Sequence, residues 1–175
     1  MRQFQATETE LKRIAQFQTN QPGYRIGLLG YGVVGRAVLQ YLTKIGCKGL
    51  RVIDSNPSLE HPVLNDVEWY LGPVRSSWFK DLEVLFIGPG VDPRHPYLIE
   101  ARENGTIIIG ELSILGPIPR DLIAVTGTNG KSTTTAWAGY ILKRLDESVF
   151  VGGNLGEPIT DWALRDFSEK VGVLE

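Results

Sequence analysis

The stretch Leu122–Thr135, LIAVTGTNGKSTTT, decides how the chain is read. Its first four residues, Leu122 to Val125, are apolar and predict a short buried strand. Thr126-Gly127-Thr128-Asn129-Gly130 follows as a loop. Lys131-Ser132-Thr133 then opens a helix expected to run to about Leu145. A strand, a glycine loop and Lys-Ser at a helix start form the layout of a phosphate-binding loop. Glycines let the backbone curl until several N–H groups point at one spot. The helix N-terminus adds unpaired donors and a partial positive charge. Lys131 can reach terminal phosphates, and the Ser132 hydroxyl can ligate magnesium. The first glycine of the common GxxxxGK[ST] pattern would fall on Val125. The glycine here is Gly127, which gives TGTxGKST.

A second glycine motif lies upstream. Arg25 to Leu29 reads as a strand, Gly30-Tyr31-Gly32-Val33-Val34-Gly35 follows, and Arg36 to Lys44 continues as a helix. Leu50 to Ile53 reads as the next strand and ends in Asp54, nineteen residues beyond Gly35. That is a dinucleotide-fold fingerprint with its strand before and its helix after. Its glycines make a tight turn, admit a diphosphate and let helix and strand pack closely. Asp54 stands where a carboxylate can meet a ribose hydroxyl.

Between the two motifs, strands are expected at Val67 to Leu71, Val84 to Ile87 and Thr106 to Ile109, with a helix from Pro96 to Asn104. Gly88-Pro89-Gly90-Val91-Asp92-Pro93-Arg94-His95-Pro96 is a rigid, turn-rich loop at a strand's carboxyl end, where open α/β sheets bind ligands. Glu111 to Pro119 reads as a linker. Ahead of the first strand, Thr7 and Glu10 are spaced as a capping box, and Leu11, Ile14, Ala15 and Phe17 suggest a short helix. Beyond the second glycine loop come a strand at Ser148 to Val151, the turn Gly152-Gly153-Asn154-Leu155-Gly156, a helix over Pro158 to Asp166 and a strand at Val171 to Leu174. Glu175, at that strand's carboxyl end, stands where a magnesium-ordering carboxylate sits after a phosphate loop.

Composition narrows the class. A net charge of −2 with no basic face gives no sign of nucleic-acid binding. No apolar run is long enough to span a bilayer, and the N-terminus has no apolar signal core. The single cysteine, Cys47, has no internal disulfide partner and reads as packing. A reducing cytoplasm is the expected setting.

TGTNGKST, then GGNLG some twenty residues on, then an apolar strand running into Glu, resembles the ATP-binding core of the Mur ligases. These are cytoplasmic amide-forming enzymes of peptidoglycan synthesis. The strand-GxGxxG-helix unit, VIDSN and GPGVDPRHP are similar to the family's D-glutamate-adding branch. The resemblance covers about residues 25 to 175. It implies a Rossmann-like parallel-sheet domain that binds a UDP substrate at 25–118. An N-terminal extension at 1–24 would precede it, and the start of a P-loop α/β ATP-binding domain at 119–175 would follow.

By resemblance, Gly30, Tyr31, Gly32, Val33, Val34 and Gly35 would hold the UDP diphosphate, and Asp54 with Ser55 would approach the uracil. Gly127, Thr128, Asn129, Gly130, Lys131, Ser132 and Thr133 would hold ATP. Asn154 would touch the muramoyl substrate. Ser132 and Glu175 would bind Mg2+, and Lys131, Ser132 and Glu175 would form the catalytic set. The implied reaction joins D-glutamate to UDP-N-acetylmuramoyl-L-alanine through an acyl phosphate, in a protein that is monomeric at full length. Val33-Val34 replaces a pair in which the family commonly carries a hydroxyl, and Gly88 replaces its usual serine.

The family continues for several hundred residues, so the 175 residues are expected to be the N-terminal portion of a longer ligase, without turnover of their own. The L-alanine-adding branch is the alternative within the family. An NAD-dependent oxidoreductase accounts for the first fingerprint but leaves the second loop unexplained. A P-loop switch accounts for the second loop but gains nothing from the first.

Overall fold

A computed structural model describes Arg13, Gln16 and residues 24–115, 117–145 and 148–175. Apart from Arg13 and Gln16, the helix expected near Thr7 to Phe17 lies outside the described residues. Residues form two compact units, one ending at residue 116 and one spanning Pro117–Glu175.

The first unit is built on five parallel strands: β1 (Ile26–Leu29), β2 (Leu50–Asp54), β3 (Val67–Leu71), β4 (Val84–Ile87) and β5 (Ile107–Ile109). Their order in the sheet is β3-β2-β1-β4-β5. Parallel strands need covered faces, and both faces here carry a core. Leu28, Val52 and Phe86 face Val38, Leu39 and Leu42 of helix α1 (Val33–Lys44). Leu29, Ile53 and Leu85 face Phe79 of a 3-10 turn (Ser76–Phe79) and Leu98 and Ala101 of helix α2 (Pro96–Glu103). The chain order reverses between β1 and β4, which makes the crevice between their carboxyl ends the switch point of the sheet.

Glu111–Leu115, read from sequence as linker, is a short helix, α3. Its Ile114 and Leu115 are buried, and Ile114 joins the core on the α1 face. The glycine and prolines at 116–119 announce a break, but the apolar ELSIL segment ahead of them still docks.

The second unit has three parallel strands, β6 (Asp121–Ala124), β7 (Val149–Gly152) and β8 (Val171–Leu174), in the order β6-β8-β7. Helix α4 (Lys131–Leu145) presents Thr135 and Gly139 to the sheet, and a Cβ on Gly139 would collide with Val151. Helix α5 (Ile159–Leu164) inserts Trp162, fully buried and stacked on Phe150 with ring centroids 4.8 Å apart. Gly172 leaves room for that indole. The expected buried strand at Leu122 to Val125 is present one residue earlier, but it is not buried: all four residues of β6 are exposed. β6 is an edge strand. The residues that close the core, Thr135 and Gly139 of α4 and Trp162 of α5, sit against β7 and β8.

Two expectations follow from packing. Gly35 lies so close to the Gly30 carbonyl oxygen that a Cβ there would collide, whereas nothing lies within 4 Å of a Cβ on Gly32. Gly35→Ala should therefore cost about 1–3 kcal/mol in urea unfolding, against under about 1 kcal/mol for Gly32→Ala. Burial pushes the Cys47 thiol up to about 11. At pH 8 only about one native thiol in a thousand is then ionised, so a thiol reagent should label Cys47 only after denaturation.

Candidate functional site

The first candidate site gathers at the switch point. β1 ends in Gly30, whose φ of 94° is open to glycine and strained for other residues. Its N–H donates to the Ile53 carbonyl at 2.8 Å, so the turn is tied to β2 as it leaves the sheet. Asp54 completes the tie. Its Oδ2 accepts the Tyr31 N–H at 2.8 Å, and its Oδ1 accepts the Asn56 N–H at 2.9 Å. The carboxylate, expected to face a ribose or base, thus braces the glycine turn and the following Ser55-Asn56-Pro57 turn, with further lone pairs left over. Ser55 is exposed beside it.

Gly32 is the N-cap of α1 and supplies no side-chain cap, and no acid occupies the first turn. The first-turn N–H groups have no intrahelical partner, and open space lies above Gly32, so the geometry suits an anion. Val33 is exposed and Val34 half-buried, and neither offers a polar donor. The Gly88–Pro96 loop borders the same crevice: the Gly88 N–H donates to the Leu29 carbonyl at 2.9 Å, and Val91 lies 3.7 Å from a Cβ placed on Gly30. His95, within that loop, caps α2 by accepting the Tyr97 N–H on its Nδ1.

Sequence reasoning missed an aromatic ladder beside this turn. Tyr31, 7% exposed, meets the Trp69 ring edge-on at 4.8 Å, and His61 stacks on Trp69 at 4.1 Å. Burial pushes the Tyr31 hydroxyl up, and the nearby Arg36 charge partly opposes that shift. Only the V-E-W-Y-L pattern of β3 hinted at it, since Trp69 follows Leu28 and Val52 across the sheet on one face.

The second candidate site lies at the carboxyl end of β6 and β8. The loop Thr126–Gly130 is exposed throughout and leads into α4 at Lys131. The Lys131 stem passes 3.9 Å from a Cβ placed on Gly127, so the side chain arcs back over the loop. Among the described residues no carboxylate pairs with its ammonium group. Ser132 and Thr133 are exposed in the helix's first turn.

β8 pairs with β6 so that Leu174 lies opposite Ala124, and its carbonyl accepts the Val125 N–H at 2.8 Å. Glu175 therefore emerges beside the start of the loop. The turn Gly152–Gly156 wraps it: Asn154 donates its backbone N–H to the Glu175 carbonyl at 3.2 Å and its Nδ2 to Oε1 at 3.4 Å. Glu175 Oε2 is buried without a partner. An orphaned carboxylate oxygen is costly, and a cation would satisfy it. The described residues hold no cluster of three or more His, Cys, Asp or Glu. One carboxylate, one hydroxyl and phosphate oxygens are what a magnesium ion bound with its nucleotide needs, so the donor set suits Mg2+ with a nucleotide triphosphate.

Taken together, these features define a parallel-sheet α/β protein in two units, each with a glycine turn between the carboxyl end of a strand and the start of a helix. Comparison with known proteins narrows the class: residues 24–110 match the Mur ligase MurD-like N-terminal domain. The chain belongs to the Mur ligase family. It is 31% identical over 160 residues to the UDP-N-acetylmuramoylalanine–D-glutamate ligase of Baumannia cicadellinicola, covering 90% of this chain and 35% of that one. The ligase of the same name from Desulfatibacillum aliphaticivorans is 35% identical over 159 residues, covering 87% and 35%. The chain spans about a third of the length of these curated relatives. Among solved structures, a pseudomurein peptide ligase type C from Methanothermus fervidus aligns with a TM-score of 0.46 at 25% identity, over 86% of this chain and 32% of that one. No helix among the described residues is long and apolar enough to cross a membrane.

The bracing role of Asp54 is open to test. Asp54→Ala leaves the Tyr31 and Asn56 amides without their acceptor, which should cost about 1–3 kcal/mol in urea unfolding. Asp54→Asn keeps one acceptor oxygen and should lose less.

Proposed function

We propose that the chain is the nucleotide-handling part of an ATP-dependent acid–D-amino-acid ligase of peptidoglycan precursor synthesis. In this reading the ligase works in the cytoplasm and joins D-glutamate to UDP-N-acetylmuramoyl-L-alanine. The observation that carries it is the match of residues 24–110 to a MurD-like domain, followed in the same chain by a lysine-bearing glycine loop beside an unpartnered carboxylate oxygen. Residues 25–118 would bind the UDP substrate, with Gly30 to Gly35 receiving the diphosphate and Asp54 and Ser55 lining the nucleoside end. Residues 119–175 would open the ATP-binding domain, with Gly127 to Thr133 around the phosphates and Asn154 near the muramoyl group.

The chemistry to be solved is electrostatic, because a substrate carboxylate must approach a triphosphate. Mg2+, held by Ser132 and Glu175, would supply charge neutralisation at the phosphates. Lys131 and the loop N–H groups would offset the repulsion where negative charge accumulates. Asn154, bonded to Glu175, would orient that carboxylate. The first unit contributes position: anchoring a distant UDP group restricts where the reacting carboxylate can go.

Thermal-shift measurements test the assignment. UDP-N-acetylmuramoyl-L-alanine and Mg-ATP should each raise the melting temperature, and NADH should not. Protection by NADH without protection by the UDP substrate would favour an oxidoreductase instead. Lys131→Ala should abolish most Mg-ATP protection and leave UDP-substrate protection intact. Equal loss of both would count against the assigned roles.

A further inference from the structure

A nucleoside diphosphate brings two or more negative charges to the switch point, where the Asp54 carboxylate already stands. Backbone N–H groups supply only partial charges, and Val33 and Val34 supply none. A full positive charge close to the glycine turn would strengthen that attraction. Three arginines of the first unit are committed elsewhere. Arg51 donates to Glu68 and to the Trp78 and Lys80 carbonyls. Arg94 is held in a two-point pair by Asp92, and Arg25 pairs with Asp81.

Arg36 is different. It sits in the second turn of α1, its N–H makes the first helical bond to the Gly32 carbonyl, and no carboxylate among the described residues pairs with its side chain. Its guanidinium lies over the Tyr31 ring, 5.5 Å from the centroid. Tyr31 is the residue between the first two glycines, and it cannot shift freely. Asp54 holds its N–H, and Trp69 holds its ring edge. The platform is rigid, so little side-chain freedom is left to be lost when an anion arrives.

We propose that Arg36, seated on the Tyr31 ring, is a phosphate-positioning cation for the nucleoside diphosphate at the first glycine turn. This rests on the assignment of that turn to a UDP group. The guanidinium offers planar donors for two phosphate oxygens, and its place over the Tyr31 ring keeps it beside the glycine turn. It also offsets Asp54, which would otherwise repel the ligand it helps to shape a site for.

The test is calorimetric titration of the 175-residue chain with UDP at low and moderate salt, with thermal melts confirming that each variant is folded. Arg36→Ala should weaken UDP binding about tenfold and flatten its salt dependence. Arg36→Gln keeps a planar group on the ring without the charge, so it should lose as much as Arg36→Ala. Arg36→Lys should recover part of the affinity. A merely structural role for the stack would instead rank Gln above Lys and leave the salt dependence unchanged, which overturns the proposal. UDP affinity within twofold of wild type in both Arg36→Ala and Arg36→Gln overturns it too, and leaves the UDP assignment standing. Failure of the wild-type chain to bind UDP removes the assignment and the proposal together.

Discussion

The closeness of α1 to the end of β1 governs the N-terminal unit. Gly35 packs its backbone against the Gly30 carbonyl, a separation no side chain at 35 would permit. That contact sets where the helix begins. It aims the unpaired first-turn N–H groups at the space above Gly32, and it holds Val38, Leu39 and Leu42 over Leu28 and Val52. The same approach places Tyr31 where Asp54 can accept its N–H. One tight backbone contact thus fixes both the core on that face and the shape of the glycine turn.

Much of this was legible before any coordinates. Gly30, Gly32 and Gly35 fall between an apolar run and a helical period, and only one local geometry suits that spacing. The strands at Val67, Val84 and Val171 and the helices at Pro96 and Lys131 were read from the run of apolar residues and the turns between them. What could not be read depended on neighbours distant in sequence. Asp54 looked like a ligand group because its position in the fingerprint is known, but its Tyr31 amide partner emerges only when β2 lies beside β1. The ladder Tyr31–Trp69–His61 joins three elements with no common spacing. α3 was hidden because the punctuation at 116–119 outweighed five residues that form one turn and bury two side chains.

The second unit shows why periodicity alone misjudges burial. LIAV reads as a core strand, and in composition it is one. Burial, however, is a property of what lies on each side. In the order β6-β8-β7 both β6 and β7 lie at edges, but α4 and α5 pack on β7 and β8, so β6 alone is left exposed. The exposed apolar groups follow the same logic: Leu122 and Ile123 on β6, and Trp137, Tyr140, Ile141 and Leu145 on α4, with Trp137 70% and Leu145 78% exposed. Helix α4 turns its small residues, Thr135 and Gly139, inward and its large ones outward, the reverse of a solvent-facing helix. A contiguous apolar face of this kind is atypical of a free surface.

The two glycine turns are built differently. Around the first, bracing is heavy: Gly30, Tyr31 and Asn56 all have their N–H groups tied to β2, and Val91 closes one wall. A rigid site of this kind suits a group that must be gripped in one pose and takes no part in bond breaking. Around the second, the loop Thr126–Gly130 is open along its length, and among the described residues no carboxylate pairs with Lys131 and no donor reaches the buried Oε2 of Glu175. Those groups gain their partners only when an anion and a cation arrive together. In the proposed reading, binding energy there would be released on assembly of nucleotide and metal, which would tie occupancy of that loop to the presence of both. Under the proposed function, holding one substrate by a preformed shape and the other by completing a charge set would let a single chain bind two nucleotides without confusing them: the first turn has a fixed geometry and no missing metal ligand, and the second has the reverse.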